Sequence, residues 1–369
     1  MNGPPSNQLF GHERTVRTMQ ESILGSRSMP TWIFGGPFGV GKFTAARLLA
    51  GLLLDPKTRP EDVKAFRPRA DTDSGALFFA GTHPDFHVVR KEQALESPDP
   101  QVRERKQRSI PVAVLRQQII GGQVEGHAFD APAYMKPTKG TGKVFIIDEA
   151  ELIDPRGQNL LLKTLEEPPP RTWFILVTTR ADRLLPTIWS RCQPALFAPL
   201  EPEAMTLWRA GLDLEVADGD LDWAVDFAEG APGLVMASLH EGLHEWARLF
   251  SPMVEELGQG GYPTSMSEEM ERCIDASAVA AEKADPLVSK QAAGRRATGL
   301  LIGLLSNLMR RRMLDSVDSD GLESERWANA IEILATSESQ IEANVNRKMA
   351  LAGLVASLVD ELVPVGATR

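Results

Sequence analysis

The stretch Gly36-Pro37-Phe38-Gly39-Val40-Gly41-Lys42-Phe43-Thr44 constrains this chain more than any other. A short apolar strand, Thr31–Gly35, precedes it, and a helix over Phe43–Leu54 follows. Strand, glycine-rich loop and helix N-terminus in that order are the setting of a phosphate-binding P-loop. Gly36, Gly39 and Gly41 let the loop turn its amides inward, and the helix dipole adds positive potential there. Lys42 would reach the outer phosphates. A hydrolysing site places Ser or Thr directly after this lysine, where the hydroxyl holds Mg²⁺; here the residue is Phe43. Thr44 is no obvious substitute, because one helical step turns a side chain by about 100°.

A P-loop needs a second strand ending in an acid. Lys143-Val144-Phe145-Ile146-Ile147 is apolar without alternation after its lysine, as a strand buried on both faces should be, and it runs into Asp148 and Glu149. Asp148 stands where the metal-binding carboxylate belongs, and Glu149 where an ATPase keeps the base that orients the attacking water. A further strand, Trp173–Thr179, closes on a polar side chain, so Thr179 could sense the γ-phosphate. The remaining strands fall at His83–Val89 and Ala195–Phe197, with helices at 9–30, 111–123, 155–167 and 186–190 between them. Strands alternating with helices predict a parallel, doubly wound α/β sheet with its ligand at the strands' C-terminal ends. Residues 55–82 read as a polar, proline-rich irregular excursion, 91–110 as a charged loop, solvated or else touching DNA, and 126–142 as loop. After Pro199 the strands stop. Short helices are expected at 201–210, 220–229 and 233–240, then a helical region from Leu243 with breaks at 259–263, 285–286 and 316–321.

A chain of 369 residues exceeds one ordinary core, which predicts two or three domains. A net charge of −10 argues against dense wrapping of nucleic acid by this chain alone. Two cysteines, Cys192 and Cys273, cannot build a disulfide framework and fit a reducing compartment. No apolar run reaches the roughly 18 residues of a membrane span, so a cytoplasmic protein is expected. His83 and His87 are four apart on a strand with no cysteine pair nearby, which makes a poor zinc site. No Ser/His/Asp or Cys/His nucleophile constellation is evident.

Three stretches together are more specific than any P-loop: LFGHERTV with GGPFGVGK (9–16 and 35–42), KVFIIDEAELIDPRGQNLLLKTLEEPPPRTWFILVTT (143–179), and LLPTIWSRCQ (184–193). They resemble the AAA+ clamp-loader subunits of bacterial DNA polymerase III. IEANVNRKMALAGLVASL (341–358) is similar to the last collar helix of that family's delta-prime branch. The resemblance implies an AAA+ five-stranded parallel sheet over residues 1–198, a helical lid over 199–245 and an all-α collar over 246–369. It implies a role in DNA replication within the polymerase holoenzyme, a nucleotidyltransferase complex. The implied partners are the gamma/tau and delta subunits, with the sliding clamp and primer-template DNA reached through the complex and no membrane.

Departures from the motor pattern point to the delta-prime branch. Phe43 lacks the metal-binding hydroxyl, and Gly230-Ala231-Pro232-Gly233 stands where motor subunits present an arginine to the nucleotide. The resemblance then makes Arg191, in Ser190-Arg191-Cys192, an arginine finger offered in trans to a neighbouring ATPase subunit. Glu149 becomes vestigial and the chain's own ATPase activity weak or absent. ATP with Mg²⁺ at Gly36, Gly39, Gly41, Lys42, Thr44 and Asp148 stays an open expectation, weakened by Phe43. Family members often carry a four-cysteine zinc module after the P-loop helix; residues 55–82 contain no cysteine, so no zinc is expected. The competing expectation is a self-sufficient, gamma/tau-like ATPase. A small-molecule P-loop kinase fits poorly, having no use for Ser190-Arg191-Cys192 or a long helical tail.

Overall fold

A computed structural model describes residues 8–25, 29–104, 109–139, 142–284, 288–316, 321–342 and 346–363. The chain divides into two compact units. One runs to Glu215 and includes Ala228–Leu234; the other holds Val216–Phe227 and the chain from Val235 onward.

The first unit begins with helix α1 (Glu13–Leu24), strand β1 (Thr31–Gly35) and helix α2 (Lys42–Leu54). Helices α3 (Pro60–Lys64) and α4 (Asp73–Phe79) lead to β2 (Phe86–Val89). After α5 (Pro100–Glu104), helix α6 (Val112–Leu115) continues as a wider π-turn through Ile120 into a small antiparallel hairpin, β3 (Gly122–Val124) and β4 (His127–Phe129). Then come β5 (Lys143–Ile147), α7 (Pro155–Glu166), β6 (Thr172–Thr178), α8 (Pro186–Trp189), β7 (Gln193–Leu196) and α9 (Pro202–Ala210). The main sheet has the order β2-β5-β6-β1-β7, with every pair parallel. This is the five-stranded parallel sheet that the alternation of strands and helices predicts.

The apolar strands are continuous because both faces are covered, while side chains still alternate between the two layers. On one face Ile33, Phe145, Ile147, Phe174 and Leu176 pack with Leu161 and Leu165 of α7, Val114 and Leu115 of α6, and Ile188 of α8. On the other, Trp32, Phe34, Val144, Ile146, Ile175 and Val177 meet Ala45, Leu48, Leu49 and Leu52 of α2 and Met19 of α1. Burying a side chain of this size removes about 1.5–3 kcal/mol of apolar exposure from the folded state, so these two layers dominate the unit's stability.

Two segments read as irregular are packed structure. In 55–82, Val63, Phe66 and Phe78 enter the core, and a Cβ on Gly51 of α2 would lie 2.7 Å from Pro68. Thr72 caps α4 by accepting from the Gly75 amide at 2.9 Å and donates to Asp55 at 2.6 Å. Apolar packing and a cap thus order this segment. In 91–110, a 3₁₀ turn over Lys91–Glu96 and α5 bury Ala94 and Val102, and Ile110 is fully buried; residues 105–108 lie outside the described residues. The loop expected over 126–142 likewise contains β4 and a 3₁₀ turn at Pro132–Tyr134.

The chain then forms α10 (Asp218–Ala228), α11 (Pro232–Glu241), α12 (Leu243–Gly258), α13 (Met266–Ala284), α14 (Lys290–Ser316), α15 (Gly321–Glu342) and α16 (Arg347–Leu362). The second unit's core holds Phe250, Leu257, Met270, Ile274, Leu301, Leu305, Trp327 and Leu354, all fully or nearly fully buried. Gly258 admits the Trp327 ring, which would lie 2.7 Å from a Cβ there. Arg347, at the start of α16, pairs with Asp275 of α13. The break expected at 285–286, the centre of the one at 316–321, and residues 343–345 of the collar-like motif lie outside the described residues.

Candidate functional site

The P-loop leaves β1 at Gly36. A Cβ on Gly36 would meet the Phe197 carbonyl oxygen at 2.1 Å, so only glycine fits. Gly39 has φ +81°, and its Cβ would fall 2.6 Å from the amide nitrogen of Leu234. The Gly233 amide donates to the Gly39 carbonyl at 2.7 Å. Gly230-Ala231-Pro232-Gly233 therefore abuts the loop backbone to backbone. An edge of His12 packs on Phe197, and its Nε2 lies 2.8 Å from the Val40 carbonyl, tying the Leu9–Val16 motif to the loop.

Lys42 opens α2 and is buried, with 6% of its surface exposed. Its Nζ donates to the Gly36 carbonyl at 2.7 Å and to the Pro37 carbonyl. Burial lowers its pKa to about 8, against the opposing charges of Glu151 and Asp148. Phe43 and Thr44 are both half-buried, and Phe43 packs against the α2 side of the core.

The acids that follow β5 are already partnered. Arg90 Nε lies 3.5 Å from Asp148 Oδ2, and Lys91 Nζ lies 2.7 Å from the Glu149 carboxylate. Asp148 Oδ1 also accepts the Glu149 amide at 3.1 Å. Burial raises the Asp148 pKa to about 6; Arg90 works against that rise and Glu149 adds to it. Glu149 sits in the left-handed region at φ +50°. The Arg90 guanidinium carbon lies 4.9 Å from the centre of the Phe43 ring, within cation–π range.

Thr179 falls one residue beyond β6 and is exposed; its hydroxyl donates to Glu151 Oε1 at 2.6 Å and its amide donates to the same oxygen at 3.2 Å. The structure thus brings Lys42, Asp148, Glu149 and Thr179 to the C-terminal edge of the sheet, as the motif order requires. It adds Arg90, Lys91 and Glu151, which the sequence reading did not single out. Their signal was positional: Arg90-Lys91 immediately follows one strand and Asp148-Glu149 immediately follows its neighbour.

Arg191 lies apart, after α8. Its guanidinium pairs with Glu166 at the end of α7, and Nη1 donates to the Thr187 carbonyl at 2.8 Å and to the Ser190 hydroxyl at 3.2 Å. About 30% of its side chain is exposed. Beneath it, Thr31 Oγ1 donates to the Arg191 carbonyl at 2.7 Å. Cys192 is buried, and burial pushes its thiol up to about 12, so it anchors the turn and is no nucleophile. The Leu-Glu-Glu-Pro-Pro and Ser-Arg-Cys stretches therefore meet in one ion pair, Glu166–Arg191.

His83 and His87 do different work. His83 is buried between Ser74 Oγ, 3.0 Å from Nε2, and the Asp85 amide, which donates to Nδ1 at 3.2 Å. His87 stacks on Phe145 with ring centres 4.6 Å apart. Among the described residues, no group of three or more His, Cys, Asp or Glu side chains converges as a metal site.

The family described as "DNA polymerase III, delta subunit" matches residues 11–201. The chain is 30% identical over 192 residues to DNA polymerase III subunit delta' of Bacillus subtilis, covering 52% of this chain and 49% of that one. It is 30% identical over 161 residues to subunit delta' of Escherichia coli, covering 44% and 41%. Subunit gamma/tau of Mycobacterium tuberculosis is 27% identical over 205 residues, covering 54% and 29%. The chain thus spans about half the length, or less, of the curated relatives it matches. Among solved structures, a gamma subunit-related protein of DNA polymerase III from Thermotoga maritima superposes with a TM-score of 0.44 at 18% identity, covering 94% of this chain and 99% of its own. With just over half of its 369 residues inside the family match, this chain belongs to the family described as DNA polymerase III, delta subunit.

Proposed function

We propose that this chain is a delta-prime-type member of a bacterial clamp loader, completing the loader ring and lending Arg191 in trans to a neighbouring ATPase subunit. The observation that carries the reading is the contrast between two sites. The chain's own candidate catalytic groups are all engaged internally: Asp148 with Arg90, Glu149 with Lys91, Thr179 with Glu151. Arg191 is paired as well, with Glu166, but it lies apart from those groups, about 30% exposed at a turn anchored by Thr31 and Cys192, and its guanidinium partners Glu166, Thr187 and Ser190 are themselves at the surface. An arginine so presented can stabilise charge on a phosphoryl group in an adjacent subunit.

On this reading residues 1–198 serve as the nucleotide-binding-type domain, 199–245 as the lid and 246–369 as the collar that drives association. The partners are gamma/tau and delta, with the sliding clamp and primer-template DNA reached through the assembly, in the cytoplasm. No helix among the described residues is long and apolar enough to cross a membrane. A self-sufficient ATPase is the competing reading, favoured by the intact loop and the buried Lys42. Turnover of Mg²⁺-ATP by the isolated chain separates them. The delta-prime reading expects no activity above a Lys42→Ala control, and vigorous turnover that Lys42→Ala abolishes would replace it with the motor.

A further inference from the structure

The P-loop fold implies a magnesium ion beside Asp148, but the residues present do not fit one. Mg²⁺ demands near-octahedral oxygen ligands at about 2.0–2.1 Å, normally a carboxylate, a hydroxyl and phosphate oxygens. Position 43 offers an aromatic ring, and the carboxylate already faces a guanidinium. We propose that Arg90 and Lys91 stand permanently in the place of the metal, so that Asp148 and Glu149 take no divalent cation.

The arrangement is set by strand register. β2 and β5 pair in parallel with Val89 opposite Ile147, and the Asp148 amide donates to the Val89 carbonyl at 3.0 Å. One residue further along each strand brings Arg90 beside Asp148, and two bring Lys91 beside Glu149, which are the ion pairs observed. A shift of one residue in either strand would break both.

Phe43 belongs to the same device. A hydroxyl in its place would suit a hydrated metal ion, whereas the face of a ring suits a planar guanidinium. The Arg90 Nε is buried and makes no hydrogen bond, so its attachment is the carboxylate charge and the ring. The charge balance agrees. Lys42, Arg90 and Lys91 face Asp148, Glu149 and Glu151, and Arg47 adds a further positive charge close enough to act on Arg90. No net negative charge remains to draw a dication.

The inference concerns the chain's own cleft and stands whether or not Arg191 acts in trans. Mn²⁺, used as a paramagnetic probe with the full-length protein, tests it by electron paramagnetic resonance, with and without ADP. The natural chain should bind no Mn²⁺ that Asp148→Asn removes; binding that survives Asp148→Asn lies elsewhere on an acidic surface and agrees with the proposal. Bound Mn²⁺ lost in Asp148→Asn would overturn it. The paired variant Phe43→Ser with Arg90→Ala should gain Mn²⁺ affinity by about tenfold or more, equivalent to about 1.4 kcal/mol, and lose it again with Asp148→Asn. A folded paired variant that gains nothing would show that Arg90 and Phe43 are not what excludes the metal. If that variant fails to fold, the comparison of the natural chain with Asp148→Asn still decides.

Discussion

Replacing Asp148 by asparagine should stabilise the protein at neutral pH and leave it unchanged in acid. The carboxyl is raised from 3.8 to about 6 by burial, so between those values the folded state holds a proton that the unfolded chain has lost. Stability from this group is therefore full below about pH 4 and declines as pH rises through 6. Ionising the buried acid costs at most about 3 kcal/mol at neutral pH, from 1.36 kcal/mol per tenfold change in proton affinity. Two effects reduce what the substitution returns. The side chain is about a quarter exposed, and Arg90 loses its counter-charge while keeping about a third of its own surface in water. The charges of Arg90, Glu149, Glu151 and Lys42 all lie close enough to act on the group. The expected gain is about 1–2 kcal/mol at pH 7.5, shrinking towards zero near pH 4. Urea unfolding of both proteins across that range measures it directly. A variant whose relative stability falls as pH rises would refute the placement of a buried, costly carboxylate at this position.

Two further outcomes follow from packing and burial. Gly39→Ala must strain a backbone at φ +81° and push a methyl against the Leu234 amide, so a loss of about 1–3 kcal/mol in chemical unfolding is expected. An unchanged midpoint would mean that residues 230–234 do not press on the loop. Cys192 and Cys273 are both buried with thiols raised by burial, so neither should react with a thiol reagent at pH 8 until the protein is unfolded; rapid labelling of the native chain would contradict this.

The parallel sheet was legible because burial on both faces writes itself into β1, β5 and β6 as unbroken apolar runs. The P-loop and the acids after β5 were legible because their chemistry depends on local order along the chain. The partners of those acids were not. Arg90-Lys91 looks like the start of a charged loop until the pairing of β2 with β5 is known, and no local pattern announces that register. The same holds for Glu151, which lies two residues beyond Glu149 and reaches Thr179 only because β5 and β6 are neighbours. Residues 55–82 were misread for a different reason. α3 and α4 are too short to show helical periodicity, and they are held by tertiary contacts of Phe66 and Phe78 and by the Thr72 cap rather than by propensity. Glu166 was visible as part of Leu-Glu-Glu-Pro-Pro, but its use as the seat of Arg191 needed α7 and α8 to be placed side by side.

The proposal that this chain works through Arg191 in another subunit's site is tested most directly by Arg191→Ala in the reconstituted complex. Assembly and clamp- and DNA-stimulated ATPase should be read on the same preparation. An arginine finger is worth roughly 10³-fold or more at the site it serves. The account predicts a ring that still assembles and has lost the turnover of the adjacent ATPase site. An assembled ring with undiminished stimulated ATPase would contradict it.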